Sequence, residues 1–409
     1  MPAAGTYSIE DEAWKRNLAW MADMSDLRWF SDDACKLDEF RALVERTPDL
    51  RDYPYADAVV QKGILYDCGR LRDVVESAAG REAVAREWVS VLSDGPGLIL
   101  LRGAFSAPII DRATESFLAM IAEQRARGAS SGDHFAKPGD NDRVWNALEK
   151  LAVSAPDAFV DYYANEFVAL VSLAWLGPNY QVTSQVNVVN PGGQAQLPHR
   201  DYHLGFQSDD FTSRCPPHVH RLSPVLTLQG AVAHGAMPLE SGPTLYLPYS
   251  QKYELGYLAW RRPEFRAYFD EHRAQWPLEK GDAVFFNPAL FHAAGHNRSA
   301  DIRRMANLLQ VSSAFGRAME SVNRERMVNA LFPVLLQRKG AGMGEGALHN
   351  AIAASAEGYP FPTNLDRDPP IGGLAPASQA EFVSRALDEA WDPARLRDAL
   401  AAARERTHP

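Results

Sequence analysis

Leu197-Pro198-His199-Arg200-Asp201-Tyr202 is the stretch on which the reading of this chain turns. In an extended strand, side chains two residues apart share a face. His199 and Asp201 therefore aim an imidazole and a carboxylate at one spot, while Arg200 points away. Such a pair supplies two of the three ligands of the 2-His-1-carboxylate arrangement that holds non-haem Fe(II) with coordination positions left open. A satisfied core histidine beside a turn aspartate would look the same in isolation, so a third ligand has to come from elsewhere in the chain.

Downstream of the motif and before the helical tail stand His203, His218, His220, His234, His272, His292 and His296. His218 and His220 form a His-x-His pair, but they follow Cys215-Pro216-Pro217 in an irregular segment, where solvated histidines are commoner than ligands. His292 differs by context: Gly281 to Ser299 reads as a strand, a turn and a histidine beside Ala293, Ala294 and Gly295. Small neighbours leave room for a metal and a ligand close to the backbone. Arg303 follows on the next strand. An arginine facing into a barrel is costly unless it meets an anion, and a bidentate carboxylate contact would supply one. An ordinary surface pair made by Arg303 or Arg304 fits equally, and periodicity does not choose between them.

Around these motifs the chain divides in three. Residues 1–92 read as a helical extension, with apolar residues at three- and four-residue spacing over Ala13–Met24, Leu37–Glu45 and Leu71–Leu92. Asp94-Gly95-Pro96-Gly97 is turn chemistry and opens a core, 93–315. It begins with a buried strand near Leu98–Gly103, a helix from Pro108 to Arg125 and an apolar helix from Pro156 to Leu176. From Gln181 the pattern alternates in strands: Gln181–Val189, Val225–Val232, Thr244–Leu247, Ala283–Phe286 and Ile302–Val311, with turns between them. That spacing suggests a sandwich or barrel. Residues 316–409 read as a second helical extension. The two extensions would build a homodimer or cover the pocket.

Composition narrows the class. The 409 residues are 46% hydrophobic and 23% charged, as expected of a globular protein with an ample core. A net charge of -10 argues against a nucleic-acid binder, which needs basic faces. Cys35, Cys68 and Cys215 are too few and too scattered for a disulfide framework, which points to a reducing cytoplasm. The longest apolar run, Phe167–Leu176, is too short to span a bilayer, and the acidic N-terminus does not read as a secretory signal.

Taken in order, the motifs resemble the phytanoyl-CoA dioxygenase family of Fe(II)/2-oxoglutarate-dependent oxygenases. The residues that carry the likeness are His199-Arg200-Asp201, then Ser241-Gly242-Pro243-Thr244-Leu245-Tyr246-Leu247-Pro248-Tyr249-Ser250-Gln251-Lys252, then Gly281-Asp282, then His292 with Gly295, Asn297, Ser299 and Arg303. The middle stretch is similar to the family's GPL-x-x-x-PGSHK segment, with Thr244 for its leucine, Tyr249 for its glycine and Gln251 for its histidine. The resemblance implies an α+β chain built on a double-stranded β-helix, a cupin-like jelly roll, flanked by helices. It implies that His199, Asp201 and His292 ligate Fe(II), that Arg303 holds the distal carboxylate of 2-oxoglutarate, and that Asn187 and Thr183 contact this co-substrate. O2 would take the remaining position on the metal. Many members carry a serine two residues after the distal histidine; here it is Ala294, so either another hydroxyl takes over its contact or the site is slightly altered. Related halogenases have glycine or alanine where Asp201 stands, so the carboxylate implies hydroxylation, desaturation or ring formation.

The expected substrate is a small metabolite or natural-product intermediate. His134, Phe135, Lys137, Trp145, Tyr202, His203, Phe206 and Arg214 are the polar and aromatic residues placed to meet it, and they suggest a molecule with polar or anionic groups. An acyl-CoA hydroxylase and a cupin-like metalloprotein catalysing a non-redox step are the alternatives.

Overall fold

Alternation builds the centre of this protein. In Gln181–Val189, Val182, Val186 and Val188 are buried on one face, while Gln185 and Asn187 look the other way into a cavity. The description rests on a computed structural model and covers residues 29–128 and 139–409. The expected helix Ala13–Met24 and the candidate residues His134, Phe135 and Lys137 lie outside the described residues.

The strands are β1 (Ala58–Val60), β2 (Gly63–Asp67), β3 (Leu98–Arg102), β4 (Asn141–Val144), β5 (Gln181–Val189) and β6 (Thr227–Ala233). They continue with β7 (Leu245–Leu247), β8 (Ala274–Gln275), β9 (Ala283–Phe286), β10 (Phe291–Ala293) and β11 (Arg304–Ser312). Eight of them form one sheet in the order β1-β2-β3-β9-β6-β11-β5-β4, and β10-β7-β8 form a smaller one. Among the described residues only the β2–β3 pair is parallel. An isolated antiparallel bridge between His199 and His292 adds the opening motif beside β10. Both sheets contribute to the walls of one cavity between them, as in a double-stranded β-helix.

The large sheet's other face is closed by helices. Val182, Val186, Val188 and Val311 share a core with Phe159 and Phe167 from the helices Pro156–Tyr163 and Glu166–Leu176. Leu331 and Leu335 of Arg324–Gly340 belong to the same core, as do Ile352, Leu387 and Leu400 further on. Each such side chain contributes roughly 1.5–3 kcal/mol on leaving water. The C-terminal helices thus form a layer of the sheet's own core. No helix among the described residues is long and apolar enough to cross a membrane.

Two expectations about elements need correction. Residues 58–67, read as part of a helical extension, form the β1–β2 hairpin at the edge of the large sheet. Its turn places Gln61 and Lys62 at φ 46° and 68°, left-handed values without a glycine to announce them. The single apolar helix expected over 156–176 is two helices. Asn165 breaks it, because its side chain accepts hydrogen bonds from the N–H groups of Phe167 and Val168, both at 3.0 Å, and so caps a new helix.

Candidate active site

The His199–His292 bridge sets the site. His199 N–H donates to the His292 carbonyl at 3.0 Å, and His292 N–H donates to that of His199 at 3.2 Å, which fixes the two rings side by side. Each ring is then oriented by its own backbone. Nδ1 of His199 lies 2.9 Å from the Leu197 carbonyl, and Nδ1 of His292 lies 2.9 Å from that of Leu290. A carbonyl only accepts, so both Nδ1 atoms carry the proton and both Nε2 lone pairs face inward. Asp201 meets them: its carboxylate oxygens lie 3.6 Å from His199 Nε2 and 3.3 Å from His292 Nε2. Three donor atoms lie within 4.8 Å of one another. Lone pairs gathered this closely repel unless a cation stands between them, and two imidazoles with one carboxylate suit a divalent metal such as iron.

Burial holds His199 below the usual imidazole range, which keeps it a neutral donor. For Asp201, burial raises the pKa, and the amide of Gln229, donating to the carboxylate, lowers it. Gln229, on β6, donates its amide to Asp201 Oδ2. The sequence reading missed it. Its signal is parity: Gln229, Ala231 and Ala233 all face the cavity, and a glutamine there needs a partner.

Arg200 shows how the motif is held from behind. It is buried, its guanidinium donates to the carbonyls of Ser250 at 2.6 Å and Tyr253 at 2.9 Å, and it lies over the rings of Tyr257 and Phe291. Ser250 also accepts the Phe291 N–H on its hydroxyl at 2.7 Å. The Ser241–Lys252 segment therefore joins the strand of one histidine to the strand of the other. Tyr249, standing where the resembling family has glycine, sits at φ 69°, and Gln251 donates to the Gly95 carbonyl at 2.9 Å. Beyond Asp201 the chain turns sharply, with Tyr202 and His203 at φ 60° and 40°.

The cavity in front of the triad has a volume of about 180 Å³. Arg303 does not reach it. Its side chain is 44% exposed and pairs with Asp142 at 3.2 Å and with Asn190 at 3.2 Å on the outside of the sheet. The inward residue is its neighbour Arg304, because on β11 the even-numbered residues Arg304, Ala306, Leu308 and Gln310 face the cavity. Arg304 is 7% exposed, and burial pulls its pKa down to about 10. Its guanidinium finds the carbonyls of Ser241 at 3.3 Å and Gly295 at 3.5 Å, and among the described residues no carboxylate pairs with it. A buried cation without an anion is an anion site in waiting.

The remaining candidates separate cleanly. Asn187 lines the cavity. Thr183 does not: its hydroxyl is donated to the Gln310 carbonyl at 2.9 Å. Ala294 lines the cavity while its N–H is held by Gln196 at 3.1 Å, and the hydroxyl-bearing Thr244 and Tyr246 line the wall as well. Trp145 and Phe206 are at the wall. Tyr202 is buried beside it, His203 meets the Ser223 hydroxyl, and Arg214 pairs with Asp210 on the surface. His220 turns Nε2 to the Thr212 carbonyl, away from the triad.

The family model described as phytanoyl-CoA dioxygenase (PhyH) matches residues 93–305, just over half of the chain. The chain belongs to the phytanoyl-CoA dioxygenase family. It is an enzyme of the Fe(II)- and 2-oxoglutarate-dependent class, and the triad is a donor set that fits the metal. No curated protein matches the sequence. Among solved structures, similarity is found to the non-haem α-ketoglutarate-dependent epimerase SnoN from nogalamycin biosynthesis (20% identity, 58% of this chain and 85% of that one, TM-score 0.39). The carbocyclase SnoK from the same biosynthesis gives 20% identity over 57% of this chain and 86% of that one, TM-score 0.39. AviO1 from Streptomyces viridochromogenes Tue57 gives 17% identity over 58% of this chain and 97% of that one, TM-score 0.41.

Proposed function

We propose that this member oxidises a small organic metabolite, by hydroxylation in the first instance, with His199, Asp201 and His292 as its iron ligands and Arg304 as the residue that binds the distal carboxylate of 2-oxoglutarate. The observation that carries the reading is the pairing, in one cavity, of an inward-facing triad with a buried cation that lacks an anion. When bound, the iron and its co-substrate supply the oxidising power, drawing on O2 and yielding succinate and CO2.

The chain's own residues do the rest. The two histidines, with Nδ1 tied to backbone, offer Nε2 without reorganisation. Gln229 keeps the Asp201 carboxylate turned toward them. Arg304 gives the keto acid a fixed far end, so that its reactive end is delivered to the triad. Phe286, edge-on to the His292 ring at 4.9 Å, and Trp276 exclude water from that wall.

The buried cation disfavours a non-redox cupin-like step, which has no use for a dicarboxylate clamp. An acyl-CoA substrate would need cations for its phosphates, and the cationic side chains on the described cavity wall are Arg143 and Arg304. The cysteines, free of disulfides, support a cytoplasmic location.

Anaerobic addition of Fe(II) and 2-oxoglutarate should give a visible charge-transfer absorption that needs both and is lost in His199→Ala. Succinate release across a metabolite panel, with product mass rising by one oxygen, identifies the hydroxylated substrate. Absence of both the absorption and succinate would sink the proposal.

A further inference from the structure

The reading of the substrate that follows rests on the oxygenase function proposed above. Arg304 and Gln310 both face the cavity from β11, six residues apart, which is roughly 20 Å at the rise of an extended strand. Ala306 and Leu308 lie between them. The Arg304 end serves the co-substrate. The other end is built from amides. Gln310 pairs in register with Gln229 on β6. Gln185 donates its amide to Gln310 Oε1 at 3.3 Å and accepts from Arg143 at 3.1 Å. Trp145, Phe206 and Met319 form an apolar rim, each more than a third exposed.

Charge decides what this end can take. The ionisable groups on the described wall are Arg143, His199, Asp201, Tyr246, His292 and Arg304, and burial keeps the Tyr246 phenol protonated. The triad accounts for three and the co-substrate for Arg304. Arg143 lies over the Trp145 ring at 4.8 Å and within electrostatic reach of the partly buried Glu320, whose carboxylate is anchored by the Asn146 N–H at 2.7 Å. Glu320, which also feels Lys150, opposes the charge of Arg143, so this end offers no lone cation to a carboxylate. A separate observation points to a hydroxyl. Gln229 must turn its NH2 toward Asp201, because a carboxylate only accepts. Its Oε1 is then a buried acceptor with no partner on the cavity wall, and such an atom needs a donor.

We propose that the substrate is an uncharged, hydroxyl-bearing ring compound, with its flat apolar face against Trp145 and Phe206 and its oxygens on the Gln185, Gln229 and Gln310 amides, one hydroxyl donating to Gln229 Oε1. Three probes that share a ring test this on the enzyme loaded with Fe(II) and 2-oxoglutarate under anaerobic conditions: 2-naphthol, 2-naphthoate and 2-methylnaphthalene, each by calorimetric titration. The expected order places 2-naphthol about tenfold tighter than the other two. Glu320→Gln removes the carboxylate that opposes Arg143 and should narrow the preference for 2-naphthol over 2-naphthoate. Equal or tighter binding of 2-naphthoate to the unaltered enzyme overturns the proposal. So does 2-methylnaphthalene matching 2-naphthol, or no binding by any of the three up to millimolar concentration. Titration of 2-oxoglutarate in the same preparation reports the co-substrate site alone, so failure of the oxygenase reading is seen separately.

Discussion

Arg304→Met, set beside Arg303→Ala, turns a single step along β11 into an experiment. Arg304 is buried with only carbonyl partners, so the intact protein bears the cost of an uncompensated cation until an anion arrives. Removing one partner of a buried, hydrogen-bonded charge pair costs about 2–5 kcal/mol of binding. That range corresponds to roughly thirtyfold to a few thousandfold in affinity for 2-oxoglutarate. The ligand-free variant should melt no lower than the parent, because methionine leaves no charge in the wall. Arg303 is 44% exposed and its ion pair with Asp142 contributes at most about 1 kcal/mol. Arg303→Ala should leave the co-substrate KM unchanged. The assay is succinate formation against 2-oxoglutarate concentration, with the anaerobic charge-transfer titration as a direct measure of binding. If Arg303→Ala raises the KM and Arg304→Met does not, β11 is out of register by one residue, every inward side chain given for β11 is the wrong one, and the reasoning fails.

Three further outcomes are expected. Gly256→Ala would put a Cβ 1.9 Å from Arg200 Cζ; the displaced guanidinium should loosen the His199–Asp201 strand and weaken Fe(II) binding about 10–100-fold with all ligands intact, and unchanged affinity in an Fe(II) titration would refute the role given to Arg200. His234 is buried between the Thr114 and Tyr162 hydroxyls, and burial pushes its pKa down to about 3. The unfolded chain then binds a proton that the folded one does not as pH falls below the ordinary imidazole value of about 6.5, so stability is lost toward acid by about 1.4 kcal/mol per pH unit between there and about 3; His234→Gln should flatten the acid limb in denaturant melts at several pH values. Phe40→Ala removes a fully buried ring and should cost about 3–5 kcal/mol, measured by chemical denaturation, with a loss of under 1 kcal/mol counting against the packing described.

Two strands were legible from pattern: Gln181–Val189 by its alternation and Ala283–Phe286 by the Gly281-Asp282 turn before it, and both have in the structure the limits read from the sequence. The hairpin at 58–67 was hidden because its strands are short and its turn uses non-glycine residues at positive φ. The triad was legible because strand parity and family motif agree, and the structure brings its three side chains together. The arginine was not, since two arginines stand side by side at the start of a strand and only the pleat tells them apart. Parity gives the facing of Gln229 and Arg200, but their partners, Asp201 across strands and the Ser250 and Tyr253 carbonyls from behind, are set by tertiary contacts that spacing does not encode.

Phe40, on the short helix Leu37–Val44, packs against Phe291 and Phe265 at 5.1 Å and Tyr253 at 5.4 Å. Phe291 adjoins His292 in the chain, and Tyr253 is where Arg200 is tied. The oxygenase centre is therefore not a detachable module bounded by the matched segment. A fragment trimmed to residues 93–305 would strip the backing from a metal-site strand, and any chimera that borrows this chemistry must import the residues around position 40 along with it.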